Sequence, residues 1–274
     1  MTFILDNATD ERLAASVEEN LFALFREIAK LPGSELIEGE ALSYHDTTFA
    51  APMFKSVWGA RLEDSAQDAA VTGMINHFKG RGAPLLAWWF NPSTPLSLLA
   101  RLEARGFELD YNAPGMVIDL ASIPQPLHFP DGLTIVQARD ERTLDDWSQA
   151  LYLEYEEYHM PLSSARVWAD ATLTLGADNA PWRLYIAYWN GQPVATNLIF
   201  DGAGVSGLFC VGTIPAARGK GIGAAITLQP LLDSRTLGYQ YGVLFASDIG
   251  LPMYAKIGWR RVPISIGRYL WIAE

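Results

Sequence analysis

The sequence predicts an α/β protein (α+β mixed sheet) in two domains, residues 1–128 and 129–274, each a mostly antiparallel mixed sheet flanked by helices. Three observations carry that prediction. Segments of helical periodicity alternate with short apolar or strand-like segments along the chain. A stretch containing Pro124, Pro126, Pro130 and Gly132 reads as a linker between two such patterns. The second pattern also echoes the first: a strand, a turn and a helix lead to Arg105-Gly106-Phe107, and again to Ile257-Gly258-Trp259, an offset of 152 residues.

In order, residues 7–30 predict an amphipathic helix with Thr9 or Asp10 as cap, because Leu13, Val17, Leu21, Leu24, Phe25 and Ile28 recur at helical spacing. Residues 65–79 predict a less periodic helix, 85–90 a buried strand bounded by Pro84 and Pro92, 96–105 a helix stopped by Gly106, and 107–120 one or two strands. Beyond the linker, 133–138 predicts a strand and 141–157 a helix. The segments 182–189 and 193–200 predict paired strands about an Asn190-Gly191 turn. Strand 208–213, helix 223–237, strand 242–247, short helix 251–257 and one or two strands over 259–272 complete the chain.

At 274 residues, half of them hydrophobic, the chain can build one large core or two ordinary ones. Its formal charge of −11 repels phosphate backbones and argues against a nucleic-acid partner. No apolar run approaches the roughly 20 residues that span a bilayer, and the first residues carry no basic, then apolar, leader pattern. Cys210 is the one cysteine, so no intrachain disulfide exists. These features predict a soluble cytoplasmic protein. Four scattered histidines and that one cysteine offer no metal-ligand spacing, and no metal is expected.

The stretch that carries chemistry runs from Leu208 to Ile226. A strand leads through Pro215 into a turn with Gly219, Gly221 and Gly223, from which a helix starts. Glycines let a ligand approach the backbone, and a helix N-terminus directs amides and a positive dipole at it, so this is a diphosphate site. Arg218 and Lys220 add charge at its rim. A Walker-type phosphate loop is excluded: Ile214 stands where its first glycine belongs, and Gly221 where it needs Ser or Thr. A dinucleotide fingerprint lacks its acidic residue, since residues 238–246 hold none.

Arg218-x-x-Gly221-x-Gly223, with Val211, Thr213 and Pro215 before it, resembles the coenzyme A signature of the GCN5-related N-acetyltransferase (GNAT) superfamily. Tyr254-Ala-Lys-Ile-Gly-Trp259 resembles that family's Tyr-x-x-x-Gly-Phe block, with Trp259 in place of Phe. The resemblance covers residues from about 133 onward. It implies that the strand holding Val211, Gly212 and Thr213 splays from the strand ending near Ser247. Pantetheine would bond in the gap, and the diphosphate would sit on Arg218, Gly219, Lys220, Gly221, Ile222, Gly223 and Ala224. It further implies transfer from acetyl-CoA to a primary amine of a small molecule or peptide, with Tyr254 as general acid toward the departing thiolate. The family often places a Glu on the strand before its signature; residues 205–213 hold no carboxylate, which implies a water relay as base. Asp248, Glu154 and Glu157 are the candidate carboxylates, each read first as a solvated surface charge. His159 either ends a helix or lines the acceptor pocket, and Cys210 reads as a buried inert thiol. Subtracting the offset maps Arg218 onto Ala66, the glycines onto Ala69 and Val71, and Tyr254 onto Leu102, so the first half reads as a degenerate copy. Two rivals stand beside this reading: a non-catalytic acyl-CoA sensor and a nucleotide-dependent oxidoreductase.

Overall fold

A computed structural model describes residues 3–154 and 162–273. The first helix, α1 (Asp10–Ile28), forms as its spacing predicts. Thr9 accepts the Arg12 N–H at 3.3 Å as a cap, and all six predicted apolar positions are buried. Then come β1 (Glu35–Glu38), β2 (Ser43–Asp46), β3 (Lys55–Trp58), α2 (Asp64–Gly80), β4 (Leu85–Phe90), α3 (Leu96–Ala104) and β5 (Glu108–Asp119). The second half contains β6 (Leu133–Ala138), α4 (Glu141–Glu154), α5 (Leu162–Leu175), β7 (Trp182–Trp189), β8 (Gln192–Gly202) and β9 (Val205–Thr213). It closes with α6 (Ile222–Thr236), β10 (Tyr241–Phe245), α7 (Leu251–Lys256) and β11 (Arg260–Ile272).

The separate sheets expected for two domains are corrected: the eleven strands follow one hydrogen-bonded order, β1-β2-β3-β4-β11-β5-β10-β9-β8-β7-β6. The compact units also differ from a cut at residue 128. One comprises residues 1–21 and 115–263, the other 22–114 and 264–274. The segment leading into the proline-rich stretch is anchored to the larger unit. Leu120 and Ile123 are buried in the larger unit's core, and the Arg235 guanidinium donates to both their carbonyls, at 3.0 and 3.1 Å.

In the smaller unit, β1 to β4 pair in sequence order and β11 pairs antiparallel to β4. Leu86, Trp88, Phe78, Leu98 and Leu102 are fully buried in its core. Lys55 and Asp46 form a buried ion pair at 2.5 Å, joined by Arg81.

In the larger unit, β8 is buried without interruption from Val194 to Phe200, which requires helices on both faces. Tyr185, Ala187, Ile199 and Leu208 pack with α6. Trp147 on α4 belongs to the other face. Pro230 lies inside α6 and leaves the Ile226 carbonyl without its helical donor. The Asn197 side-chain amide, from β8, donates to that carbonyl at 2.7 Å. Besides the expected Asn190-Gly191 turn at φ 51° and 80°, a second tight hairpin joins β8 to β9 through Ala203 and Gly204 at φ 52° and 81°.

Candidate active site

The site is built on β9. Its pairing to β8 is regular through Leu198↔Phe209, then resumes at Thr196↔Gly212, so Cys210 and Val211 oppose one residue. This is a β-bulge, and Cys210 takes φ 48° in it. The extra residue reverses the alternation of faces. Leu208 packs with α6, and so does Val211, an odd step later. Gly212 therefore faces α4, while Thr213 lies toward α6, with its Oγ1 3.4 Å from an ideal Cβ placed on Gly223. Cys210 is half-buried at the bulge rather than enclosed mid-strand, which corrects the expectation of a buried thiol.

On its other edge β9 pairs parallel to β10 only at Ser206↔Gly242 and Gly207↔Val243. Beyond those positions both strands continue without pairing to each other, through Thr213 and Phe245. The split leaves strand-edge backbone groups facing an opening, the kind of edge an extended amide chain can pair with.

The turn after β9 delivers a second set of free donors. Gly219 and Gly221 sit at φ 76° and 81°, where a side chain costs about 1–2 kcal/mol. Ala225 N–H makes the first helical bond of α6, to the Gly221 carbonyl at 3.1 Å. The backbone N–H groups of Gly219, Lys220, Gly221, Ile222, Gly223 and Ala224 have no intramolecular acceptor among the described residues. An ideal Cβ on Gly219 would meet nothing within 4 Å, so the turn is open. Arg218 and Lys220 are exposed at its rim. Arg218 Nε donates to the Thr213 carbonyl at 3.0 Å, and Lys220 Nζ to that of Ala216 at 3.1 Å, with the Trp189 ring 5.3 Å away. Six free amides at a helix N-terminus, with two cations, form an anion cradle.

Tyr254 lies in α7, 7% exposed, with the Trp259 ring edge-on at 5.8 Å. Burial raises its phenol pKa, and the negative charge of Glu154 raises it further. Tyr254 therefore stays protonated at neutral pH. Ser247, expected in the cofactor gap, is exposed. Its Oγ accepts the Gly250 N–H at 3.3 Å and its carbonyl the Leu251 N–H at 2.9 Å, so it caps the start of α7.

Glu154 departs furthest from expectation. It is not a solvated surface charge but 9% exposed, at the last position of α4. An ideal Cβ on Gly212 would stand 1.3, 1.4 and 1.8 Å from its Oε1, Cδ and Oε2, so the carboxyl fills the space that glycine leaves. Thr196 Oγ1 lies 3.4 Å from Glu154 Oε2 and donates to the Cys210 carbonyl at 2.8 Å. Burial pushes the Glu154 pKa up to about 8, partly offset by the Thr196 hydroxyl and the Arg218 charge. A signal for this lay in the sequence: Leu144, Trp147, Leu151 and Glu154 fall on one helical stripe, so Glu154 extends the buried face of α4. Asp248 is exposed, in line with a solvated charge. Glu157 and His159 lie outside the described residues.

Among the described residues, no group of three or more His, Cys, Asp or Glu could hold a metal, and no helix is long and apolar enough to cross a membrane.

No family model matches the chain. It is 27% identical over 203 residues to a mycothiol acetyltransferase of Saccharomonospora viridis, covering 68% of the chain and 65% of that protein's length. A GCN5-related N-acetyltransferase from Kribbella flavida superposes with a TM-score of 0.66, at 15% identity, over 96% of each chain. A tandem GNAT protein from the clavulanic acid biosynthesis pathway superposes with a TM-score of 0.53 at 14% identity, over 95% of this chain and 97% of that one. The mixed α/β fold of this chain is thus the fold of those two solved structures.

Proposed function

We propose that this chain is an N-acetyltransferase of GNAT type that moves an acetyl group from acetyl-CoA to a primary amine of a small molecule or peptide. The observation that carries the reading is a pair of open backbone surfaces on one strand-and-turn segment. The strand edge opened where β9 leaves β10 is joined, through a turn whose Ile214, Ala217 and Arg218 N–H groups are satisfied, to the free amides of residues 219–224. A diphosphate fits those amides, with Arg218 and Lys220 at its rim. The amide-bearing arm of the same molecule fits the opened edge along Val211, Gly212 and Thr213. The thioester would then lie between β9 and α7, where buried, protonated Tyr254 can protonate the departing thiolate. The likeness to a mycothiol acetyltransferase supports acetyl transfer as the reaction.

The alternative of a non-catalytic acyl-CoA sensor rests on the lack of a carboxylate on β9. Glu154 brings one to that strand from α4, which favours the enzyme. We also take residues 1–128 as a degenerate copy of the second half. In its support, α3 and α7 end alike: Phe107 N–H bonds the Leu102 carbonyl at 3.1 Å, and Trp259 N–H that of Tyr254 at 3.0 Å, with Gly106 and Gly258 at φ 82° and 98°. Residues 66–71 lie inside α2, where there is no glycine turn. A reducing, cytoplasmic setting completes the reading, since Cys210 has no second cysteine to pair with.

Calorimetric titration with CoA and acetyl-CoA, followed by thiol release from acetyl-CoA with a panel of amines, tests this. Saturable CoA binding and amine-dependent thiol release are expected. Absence of CoA affinity ends the reading, and binding without release for any amine returns it to the sensor.

A further inference from the structure

We propose that Glu154 is the general base of this site, placed from the end of α4 into the slot that Gly212 leaves on β9, and that it closes a proton circuit with Tyr254. The inference rests on the acetyltransferase reading above and goes beyond it by replacing the expected water relay with a named carboxyl.

The geometry requires two coincident features. The bulge at Cys210 and Val211 turns residue 212 toward α4; with regular alternation it would share the face of Leu208, against α6. Residue 212 must also be glycine, because any Cβ there would overlap the Glu154 carboxyl. The result is a carboxyl against the strand whose opened edge faces the thioester. It reaches the strand from a helix and needs no acidic residue within β9. The charged and titratable groups facing it among the described residues are Arg218 and Tyr254, and the Thr196 hydroxyl is its hydrogen-bond neighbour.

The step balances. The amine nitrogen lone pair forms the C–N bond at the thioester carbonyl carbon, and the carbonyl π pair moves to oxygen. As that pair returns, the C–S bond breaks and its electrons leave on sulfur. Glu154 takes the N–H proton and Tyr254 gives its phenolic proton to the thiolate. Glu154 now carries one proton more and Tyr254 one fewer, so transfer from the carboxyl to the phenolate restores both. A neutral amine and a thioester become an amide and a thiol with no net proton change. The charge of Glu154 acts on the Tyr254 phenol, which fits such a return. A carboxyl whose pKa is lifted toward that of an amine is also a better-matched base than an ordinary glutamate.

The test compares wild type with Glu154→Gln and Thr196→Val in the thiol-release assay from pH 6 to 10, with CoA affinity measured on each protein. The proposal expects wild-type kcat to rise with pH through the Glu154 ionisation. Glu154→Gln should lose roughly 100-fold in kcat, in the range set by general-base catalysis, together with that rise, while binding CoA as wild type does. Thr196→Val keeps the base but removes a hydroxyl that favours its charge, and should move the rise to higher pH. A Glu154→Gln variant that binds CoA and keeps wild-type kcat and pH profile overturns the proposal and leaves the acetyltransferase reading standing. If Glu154→Gln does not fold, Thr196→Val decides alone: an unmoved rise overturns the proposal. Wild type that releases thiol with no amine refutes the underlying reading instead.

Discussion

Replacing Glu154 by Gln should make the protein's stability less dependent on pH, by an amount the structure sets. Burial pushes the folded-state pKa of Glu154 up to about 8 from the ordinary glutamate value of 4.5. Between those values the folded state holds a proton that the unfolded chain releases. Stability from this proton is therefore complete below about pH 4.5, declines as pH rises, and is gone above about pH 8. At 1.36 kcal/mol per unit, a shift of that size corresponds to a swing on the order of 4–5 kcal/mol. With the side chain 9% exposed, solvent screening takes little from it. Gln matches the carboxyl in shape and carries no charge at any pH, so all other titrations cancel between the two proteins. Urea unfolding of both at pH 5, 6, 7, 8 and 9, without CoA, measures the difference. The variant's advantage should grow steadily from pH 5 to 8 and then level off. A difference that stays flat within about 1 kcal/mol across the series refutes the burial argument, because an exposed carboxylate has no such linkage.

Tyr254→Phe keeps the ring against Trp259 and removes the phenolic proton; kcat should fall about 100-fold or more with CoA affinity retained, read in the thiol-release assay. Gly221→Ala forces a side chain into φ 81° at the start of α6; CoA affinity should fall several-fold in calorimetry and the unfolding midpoint should drop by an amount equivalent to about 1 kcal/mol. Asn197→Ala leaves the Ile226 carbonyl without a donor above Pro230, and denaturant unfolding should show a loss of about 1–3 kcal/mol.

What the sequence disclosed was local in origin. The stripe of α1, the Asn190-Gly191 turn and the glycine run before α6 each depend on residues within a few positions of one another, and each formed. The strands β1, β2 and β3 went unread because four residues apiece give too few periods to show an alternation. Helix α5 went unread because small and hydroxyl residues fill much of its buried face, including Ala165, Ala169, Ala171 and Thr172. The start of β9 at Val205 was missed with the Ala203-Gly204 turn, since alanine seldom takes a positive φ. Within the site, the cradle was visible as a motif. The burial of Glu154 could be read from its stripe on α4, but its position against Gly212 could not, because that depends on a bulge that only strand pairing reveals and on a glycine far away in sequence. At the proline-rich stretch, composition marks where the chain bends, while the Arg235 contacts that hold its start come from a distant helix.

The single surplus residue in β9 divides that strand into two independent registers. Up to Phe209 a substitution is judged by the hydrophobic interior; from Gly212 onward it is judged by what happens at the opening. Evolution, or an engineer, can therefore vary the chemistry of the downstream register while the upstream one keeps the scaffold intact. Deleting one residue at the kink would exchange the two faces of everything after it, turning the reactive side of the strand inward in a single step.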